Sequence, residues 1–379
     1  MNADGKPTVA QKPVPQLDLA AQYAAIGAEI RAAIDKVLAS QHFVLGREGA
    51  ALESEIAQLC GVQHGVGVAS GTDALILALR ACGVRAGDDV LLPPFTFVAT
   101  GSAVSALGAN PVFVDIRPDT YNIDPSELAR RLTPKTRAII VVHLYGLAAD
   151  MDALLAFARM HKLAVIEDNA QAIGATYKGR PAGSFGDAAC ISFYPTKNLG
   201  AYGDAGMIVT NSEGIATRLK TLRNHGQVEK YWSAEPGWNS RLDEIQAAIL
   251  RVKLRHLADW QHARQSNAAE YTRLLSEVPG VMPPQIPEGY EHVFHQYTIR
   301  TEKRDGLHQF LNERKIGCTV YYPHPLHLQP LYSSLGHKAG DFPHSERAAK
   351  EVLSLPMFPE LKKPDISQVV NTMAEFLRC

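Results

Sequence analysis

The chain has 379 residues, with 38 lysines and arginines against 39 aspartates and glutamates, a formal charge of −1. Hydrophobic residues make up 46%, enough for a large buried core, and the length suits two or three domains or one large domain with an appendage. The near-zero charge speaks against broad binding to nucleic acid or anionic membrane, and the five scattered cysteines, with no CxxC pair, indicate neither a zinc site nor a disulfide framework. A reducing cytoplasm is the expected setting.

Residues 1–16 are polar, lack an apolar signal core and read as a flexible arm. No run approaches the roughly 20 apolar residues of a membrane span. Ile26, Ile30, Ile34, Val37 and Leu38 then recur at helical spacing. Short apolar runs alternate with amphipathic helices from there on: VGVAS, VLLP, PVFVDI, AIIVVHLYG, AVIEDNA and ACISFYP. Asp124-Pro125-Ser126-Glu127 reads as a helix start, with cap, proline and capping-box glutamate. The alternation predicts a mainly parallel sheet covered on both faces. From Arg241 to about Val278 the chain reads as long helix, broken once. A proline-rich break follows, then a smaller α/β unit with a strand at HQYTIR and a last helix near DISQVVNTMAEFLRC.

Three turns after these strands carry chemistry. VGVAS leads into Gly71-Thr72-Asp73 and the helical ALILALRAC, a helix start whose free N–H groups favour a phosphate. An ordinary βα turn capped by Thr72 reads the same way. Gly65, Gly67 and Gly71 miss the GxGxxG spacing by one residue and no Walker lysine follows, so a dinucleotide or triphosphate is not expected. Next, Glu167 and Asp168 end an apolar strand. A buried carboxylate is costly unless a cation or hydrogen bonds satisfy it. A protonated pyridine nitrogen would suit it; a turn cap is the plainer alternative. Last, ISFYPTKNLGAYGDAGMIVT places Lys197 in a glycine-rich loop. Burial would lower its pKa and free the neutral amine for Schiff-base chemistry; a solvated loop lysine is the alternative. Phosphate turn, acid and lysine fall in chain order at the carboxyl ends of strands, where open α/β sheets bind ligands. Together they describe one cofactor, pyridoxal 5′-phosphate (PLP).

In this order, ASGTDAL, PPFTFVATGSAV, PVFVDI, VVHLYG, VIEDNAQAIGA, SFYPTKNLGAYGDAG, RNHG, NSRLDEIQAAIL, YYPHPLHLQP and LPMFP resemble the DegT/DnrJ/EryC1/StrS family of PLP-dependent sugar aminotransferases, over about residues 16–379. The resemblance implies fold type I, that of aspartate aminotransferase. This is a three-layer α/β domain with a mainly parallel sheet (17–240), connecting helices (241–278) and a smaller C-terminal α/β domain (279–379). It implies that Lys197 carries the cofactor and shuttles the proton, and that Asp168 pairs with the pyridine nitrogen. Gln171 would stand near the ring hydroxyl, Phe97 would stack on the ring or else pack in the core, and Gly71, Thr72 and Ser192 would bind the phosphate. Asn239 would reach the phosphate of the neighbouring subunit, which makes a homodimer with shared active sites. Arg241 would meet a substrate anion or only solvent. Tyr321, His324 and His327 would border the sugar-nucleotide pocket or form a structural turn. A proline stands between the two histidines and no third ligand is evident, so no metal is expected.

Relatives with histidine at the lysine position dehydrate their substrates, so Lys197 implies amino transfer. Many C-4 sugar aminotransferases read GEGG where this chain reads Gly203-Asp204-Ala205-Gly206, a form that resembles enzymes acting at C-3. The implied reaction moves an amino group from L-glutamate to a nucleotide-linked keto sugar, foremost a 3-keto hexose, without membrane or nucleic-acid partners. A 4-keto sugar or an inosose-type cyclitol is the alternative acceptor. A catalytically idle regulatory protein of the same fold is the alternative of another class.

Overall fold

The structure, a computed structural model, describes residues 12–378. The expected arm lies outside the described residues as far as residue 11. Its remainder is not loose: Val14 is buried and bridges Ile316, and the Gln16 side chain donates to the Leu355 carbonyl.

Helices α1 (Leu19–Ser40) and α2 (Arg47–Leu59) lead into β1 (His64–Val68), α3 (Gly71–Ala81), β2 (Asp89–Leu92), α4 (Val98–Ala106), β3 (Asn110–Phe113) and β4 (Thr136–Val142). Then come α5 (Met151–His161), β5 (Ala164–Asp168), β6 (Ala188–Ser192), β7 (Gly206–Thr210) and α6 (Glu213–Leu222). These strands form one seven-stranded sheet in the order β1-β7-β6-β5-β4-β2-β3. The ladders from β3 to β6 are parallel, whereas β7 runs antiparallel to both neighbours. The reversal has a local cause. A parallel return needs a crossover, usually a helix, and residues 193–205 between β6 and β7 contain none.

The apolar runs split between two faces. In β4, Ala138 and Ile140 join the cluster containing α3 and α4, while Ile139 and Val141 join the cluster containing α5. In β6, Ala188 and Cys190 face the first side, and Ala189 and Ile191 face α2 together with Ala247 and Leu250. Each buried valine or isoleucine among them contributes about 1.5–3 kcal/mol by leaving water, and the continuous runs make a three-layer core. Asp124 caps its turn as expected, accepting from Ser126 N at 2.9 Å, but the helix it starts is only a 3-10 turn, Pro125–Glu127.

Helices α7 (Glu244–Leu254) and α8 (Leu257–Leu275) follow, then β8 (Tyr297–Arg300), α9 (Arg304–Glu313), α10 (Pro343–Glu351), β9 (Val352–Leu355) and α11 (Lys363–Leu377). β8 and β9 pair antiparallel. Helices α7 and α8 pack into different clusters. Ile249 and Val252 of α7 pack on α1, whereas Ala268, Tyr271 and Leu275 of α8 pack with β8, β9, α9 and α11. Leu326, Tyr332 and Phe342 leave the C-terminal unit and join the core beside α3 and α4. Asp115, just past β3, accepts from the backbone N–H groups of His344 and Ser345 and so holds the start of α10.

Candidate active site

The sheet brings the expected turns together at the carboxyl ends of its parallel strands. α3 begins at Gly71, and Ser192 closes β6 beside it. A Cβ built on Gly71 would stand 2.6 Å from the Ser192 Cβ, so only glycine leaves this space open. The cap is Ser70 rather than Thr72: its Oγ accepts from Asp73 N at 3.1 Å. Thr72 is half-buried in the first turn of α3. Ser240 Oγ donates to Asp73 Oδ2 at 2.6 Å and fastens the segment around Asn239 alongside.

Asp168, at the end of β5, is buried. Thr100 Oγ1 donates to its Oδ2 at 2.9 Å and Ala170 N to its Oδ1 at 3.3 Å. Burial nevertheless raises its pKa, against the pull of Thr100, Ala170, Lys197 and His143. A carboxylate held in this state gains from a cation that enters the site. Glu167, its neighbour, points to the other face and has the opposite fate. Burial alone would raise its pKa, yet His143 and the amides of Gly186 and Gly183 hold it below the usual range. Its Oε2 accepts from His143 Nε2 at 2.8 Å and Gly183 N at 2.7 Å, and its Oε1 from Phe185 N and Gly186 N at 2.7 Å. His143 Nδ1 accepts from Ala149 N at 3.1 Å, so its proton sits on Nε2 and the ring is a donor to Glu167.

Lys197 is partly exposed, and lost hydration pushes its pKa down to about 8 while Asp168 pulls it upward. Next to it, Asn198 Nδ2 donates to the Val293 carbonyl, which leaves Oδ1 to face His295 Nδ1 at 3.3 Å. Burial first, and the charge of Lys197 second, hold His295 well below its ordinary pKa.

Gln171 Oε1 accepts from Tyr145 N at 2.6 Å, so Nε2 is a fixed donor, here to Tyr322 OH at 3.0 Å. Burial and Asp168 both raise the Tyr322 pKa, and the hydrogen bond from Gln171 opposes them. Phe97 is 53% exposed, which removes core packing as its role, and its ring centre lies 6.0 Å from that of Tyr322. Tyr145 OH donates to the Tyr321 carbonyl, which ties the segment after α9 to this site.

The remaining expected residues divide. Asn239 is exposed and bridges Asn224 through the backbone. Arg241 is half-buried, and its Nη1 donates to Asn224 Oδ1 at 2.9 Å. Tyr321 is half-buried beside Tyr322, and His324 is exposed. His327 is 2% exposed, packs 4.6 Å from the Phe342 ring and meets Glu346 at 3.1 Å, as a residue of a structural turn would. Burial lowers its pKa, and Glu346 opposes that shift. It belongs to the turn that Leu326 and Phe342 press onto the core. Sequence reasoning also missed Thr100, His143, Tyr145, His295 and Tyr322. Of these, His143 had a signal, since it ends an apolar strand as Asp168 does.

Among the described residues, no group of three or more histidines, cysteines or acids is placed to hold a metal ion, and no helix is long and apolar enough to cross a membrane. The three features fit PLP: an open helix start for its phosphate, a buried acid that favours a cationic nitrogen, and a lysine with depressed pKa for its aldehyde. The comparisons agree. The profile of the DegT/DnrJ/EryC1/StrS aminotransferase family matches residues 24–374. The chain is 53% identical to the pleiotropic regulatory protein of Geobacillus stearothermophilus, a match covering 96% of this chain and 99% of that one. It is 47% identical to the UDP-N-acetyl-3-dehydro-alpha-D-glucosamine 3-aminotransferase of Acidithiobacillus ferrooxidans, covering 96% and 98%. The solved structure of DesV from S. venezuelae in complex with a ketimine intermediate superposes with a TM-score of 0.95 at 45% identity, covering 97% of this chain and 100% of that one. The chain is therefore a PLP-dependent member of the DegT/DnrJ/EryC1/StrS aminotransferase family.

Proposed function

We propose that this protein moves the amino group of L-glutamate onto C-3 of a nucleotide-linked 3-keto sugar, as a cytoplasmic homodimer whose subunits complete each other's sites. The carrying observation is the set of Lys197, Asp168 and the Gly71 helix start in one place, in a chain 47% identical to a relative named for 3-amination. Gly203-Asp204-Ala205-Gly206 points the same way. When bound, PLP supplies an aldehyde and an electron-withdrawing ring. The chain supplies everything else. With a pKa of about 8, Lys197 keeps a useful fraction of neutral amine for carrying the cofactor, and once freed its Nζ holds and moves the proton at the reacting carbon. Asp168, oriented by Thr100, keeps the ring nitrogen protonated. Gln171 presents its Nε2 donor toward the site, and the exposed Phe97 offers a flat apolar face for stacking.

The dimer is supported by surface that suits a second copy. Phe43, Val44 and Leu45 are exposed together, and a short hairpin carries exposed Val228, Tyr231 and Trp232. Asn239 stands outward nearby in sequence, as a residue lent to a neighbour would.

The relative called a pleiotropic regulatory protein, at 53% identity, favours a second reading, a regulator that does not turn over. Spectroscopy separates the two. The loaded protein should absorb near the visible edge, and L-glutamate should bleach that band; Lys197→Ala should show no such change. Bleaching that persists in the variant would remove Lys197 from its role. No half-reaction with either L-glutamate or L-glutamine would favour the regulator.

A further inference from the structure

Lys253 of α7 is only 1% exposed, and a lysine is seldom buried without a carboxylate partner. Among the described residues none pairs with it; Glu360 acts only through space. Its Nζ instead donates to the Gly200 carbonyl at 2.6 Å and lies 4.3 Å from the centre of the Tyr202 ring. Lost hydration pushes its pKa down to about 8, opposed by Glu360. Both of its partners belong to the loop 193–205 that carries Lys197.

That loop is wound tightly. Lys197 N donates to the Tyr194 carbonyl at 2.9 Å, Ala201 N donates to the Phe193 carbonyl at 2.8 Å, and a Cβ on Gly200 would stand 2.4 Å from the Pro195 carbonyl oxygen. α7 grips it with a second side chain. Gln246 Oε1 accepts from Tyr202 N at 2.9 Å and its Nε2 donates to the Tyr202 carbonyl at 3.4 Å. The helix itself is anchored, with Ala247 and Leu250 packed beneath the sheet and Ile249 and Val252 against α1. A methionine would fill the same volume without the cost of burying an amine. What it would lack is a charge-assisted hydrogen bond and a cation over an aromatic face, both directed at this loop.

We propose that Lys253 is a positioning residue for Lys197: its buried ammonium ties Gly200 and Tyr202 to α7 and so sets where Lys197 presents its amine. The inference rests on Lys197 carrying the cofactor, and that reading has its own test. The band of the loaded protein, present in wild type and absent from Lys197→Ala, decides it separately.

Lys253→Met removes the donor and Lys253→Gln keeps one. In the loaded enzyme, Lys253→Met should lower kcat about tenfold with KM for L-glutamate within about twofold, because a small misplacement of a reacting group costs rate rather than binding. It should also raise, by about one pH unit, the pH at which the Lys197–cofactor band titrates, since a loosened loop rehydrates Lys197. Lys253→Gln, with a neutral donor and no charge over Tyr202, should recover only part of both. A kcat and a midpoint in Lys253→Met that match wild type overturn the proposal. So does an equal fall of kcat in both variants with the midpoint unmoved. Should the methionine variant fail to fold, Gln246→Ala loosens the same loop from the partly exposed side of α7, and a midpoint that stays at its wild-type value there overturns the proposal as well.

Discussion

Replacing Glu167 by glutamine keeps shape and volume and tests the buried frame behind Asp168. In the wild type two carboxylate oxygens meet four donors: His143 Nε2, Gly183 N, Phe185 N and Gly186 N. A glutamine amide has one accepting oxygen, so either way round its NH2 group faces two donors. His143 cannot yield by moving its proton, because its Nδ1 is already accepting from Ala149 N. Each lost bond to a buried charged group is worth about 1.5–3 kcal/mol, so the variant should lose about 3–6 kcal/mol. With an unfolding entropy of about 2.1 cal/mol/K per residue, a chain of 379 residues should melt about 4–8 °C lower. The loss should depend on pH in a stated direction. The Glu167 carboxyl is held below its ordinary 4.5 in the folded chain, so its contribution is full above that pH and lost as pH falls through the folded value. Calorimetry of both proteins from neutral pH down to about pH 2 should show a gap that is constant above 4.5 and closes only as pH falls below it. A melting temperature within a degree of wild type at pH 7 would refute the reasoning.

Gly71→Ala should weaken PLP binding about 10–100-fold, since the new methyl overpacks the cradle by about 1–3 kcal/mol against Ser192. The Ser192 Cα would lie only 3.2 Å away, so the strand end cannot step aside. Fluorescence titration of cofactor-free protein measures the change, and an unchanged affinity would mean that the helix start holds no phosphate. The rate at which cofactor-free protein captures PLP should rise with pH and level off above about 8, where Lys197 has lost its proton; a lysine at its ordinary 10.5 would still be climbing at pH 10. Stopped-flow absorbance reads that profile.

Much of the frame was legible because a parallel sheet buried on both faces demands continuous apolar runs, and each run named in the sequence contains a strand. Asp168, Gly71 and Lys197 drew attention for a related reason: they stand at, or a few residues beyond, the carboxyl ends of β5, β1 and β6. What could not be read were contacts set by topology across long separations. Thr100 reaches Asp168 across 68 residues, and Gln171 reaches Tyr322 across 151. His327 reads as bordering the sugar pocket, or else as part of a turn, because of the segment YYPHPLHLQP that carries it. Its burial against the Phe342 ring is not visible in the sequence. The reversed β7 was within reach, since thirteen residues without helical spacing separate it from β6. Lys253 was not, because a helix of mixed composition does not reveal which of its lysines is buried.

The proposed reaction stands or falls on which carbon receives the nitrogen. Loaded protein, L-glutamate and matched nucleotide sugars bearing the ketone at C-3 or at C-4, with an inosose alongside, can be followed by NMR of the product. Only the 3-keto sugar should turn over at a substantial rate, with the new amine on C-3. Amination of the 4-keto sugar or the inosose in preference to it would overturn C-3 amino transfer as the reaction.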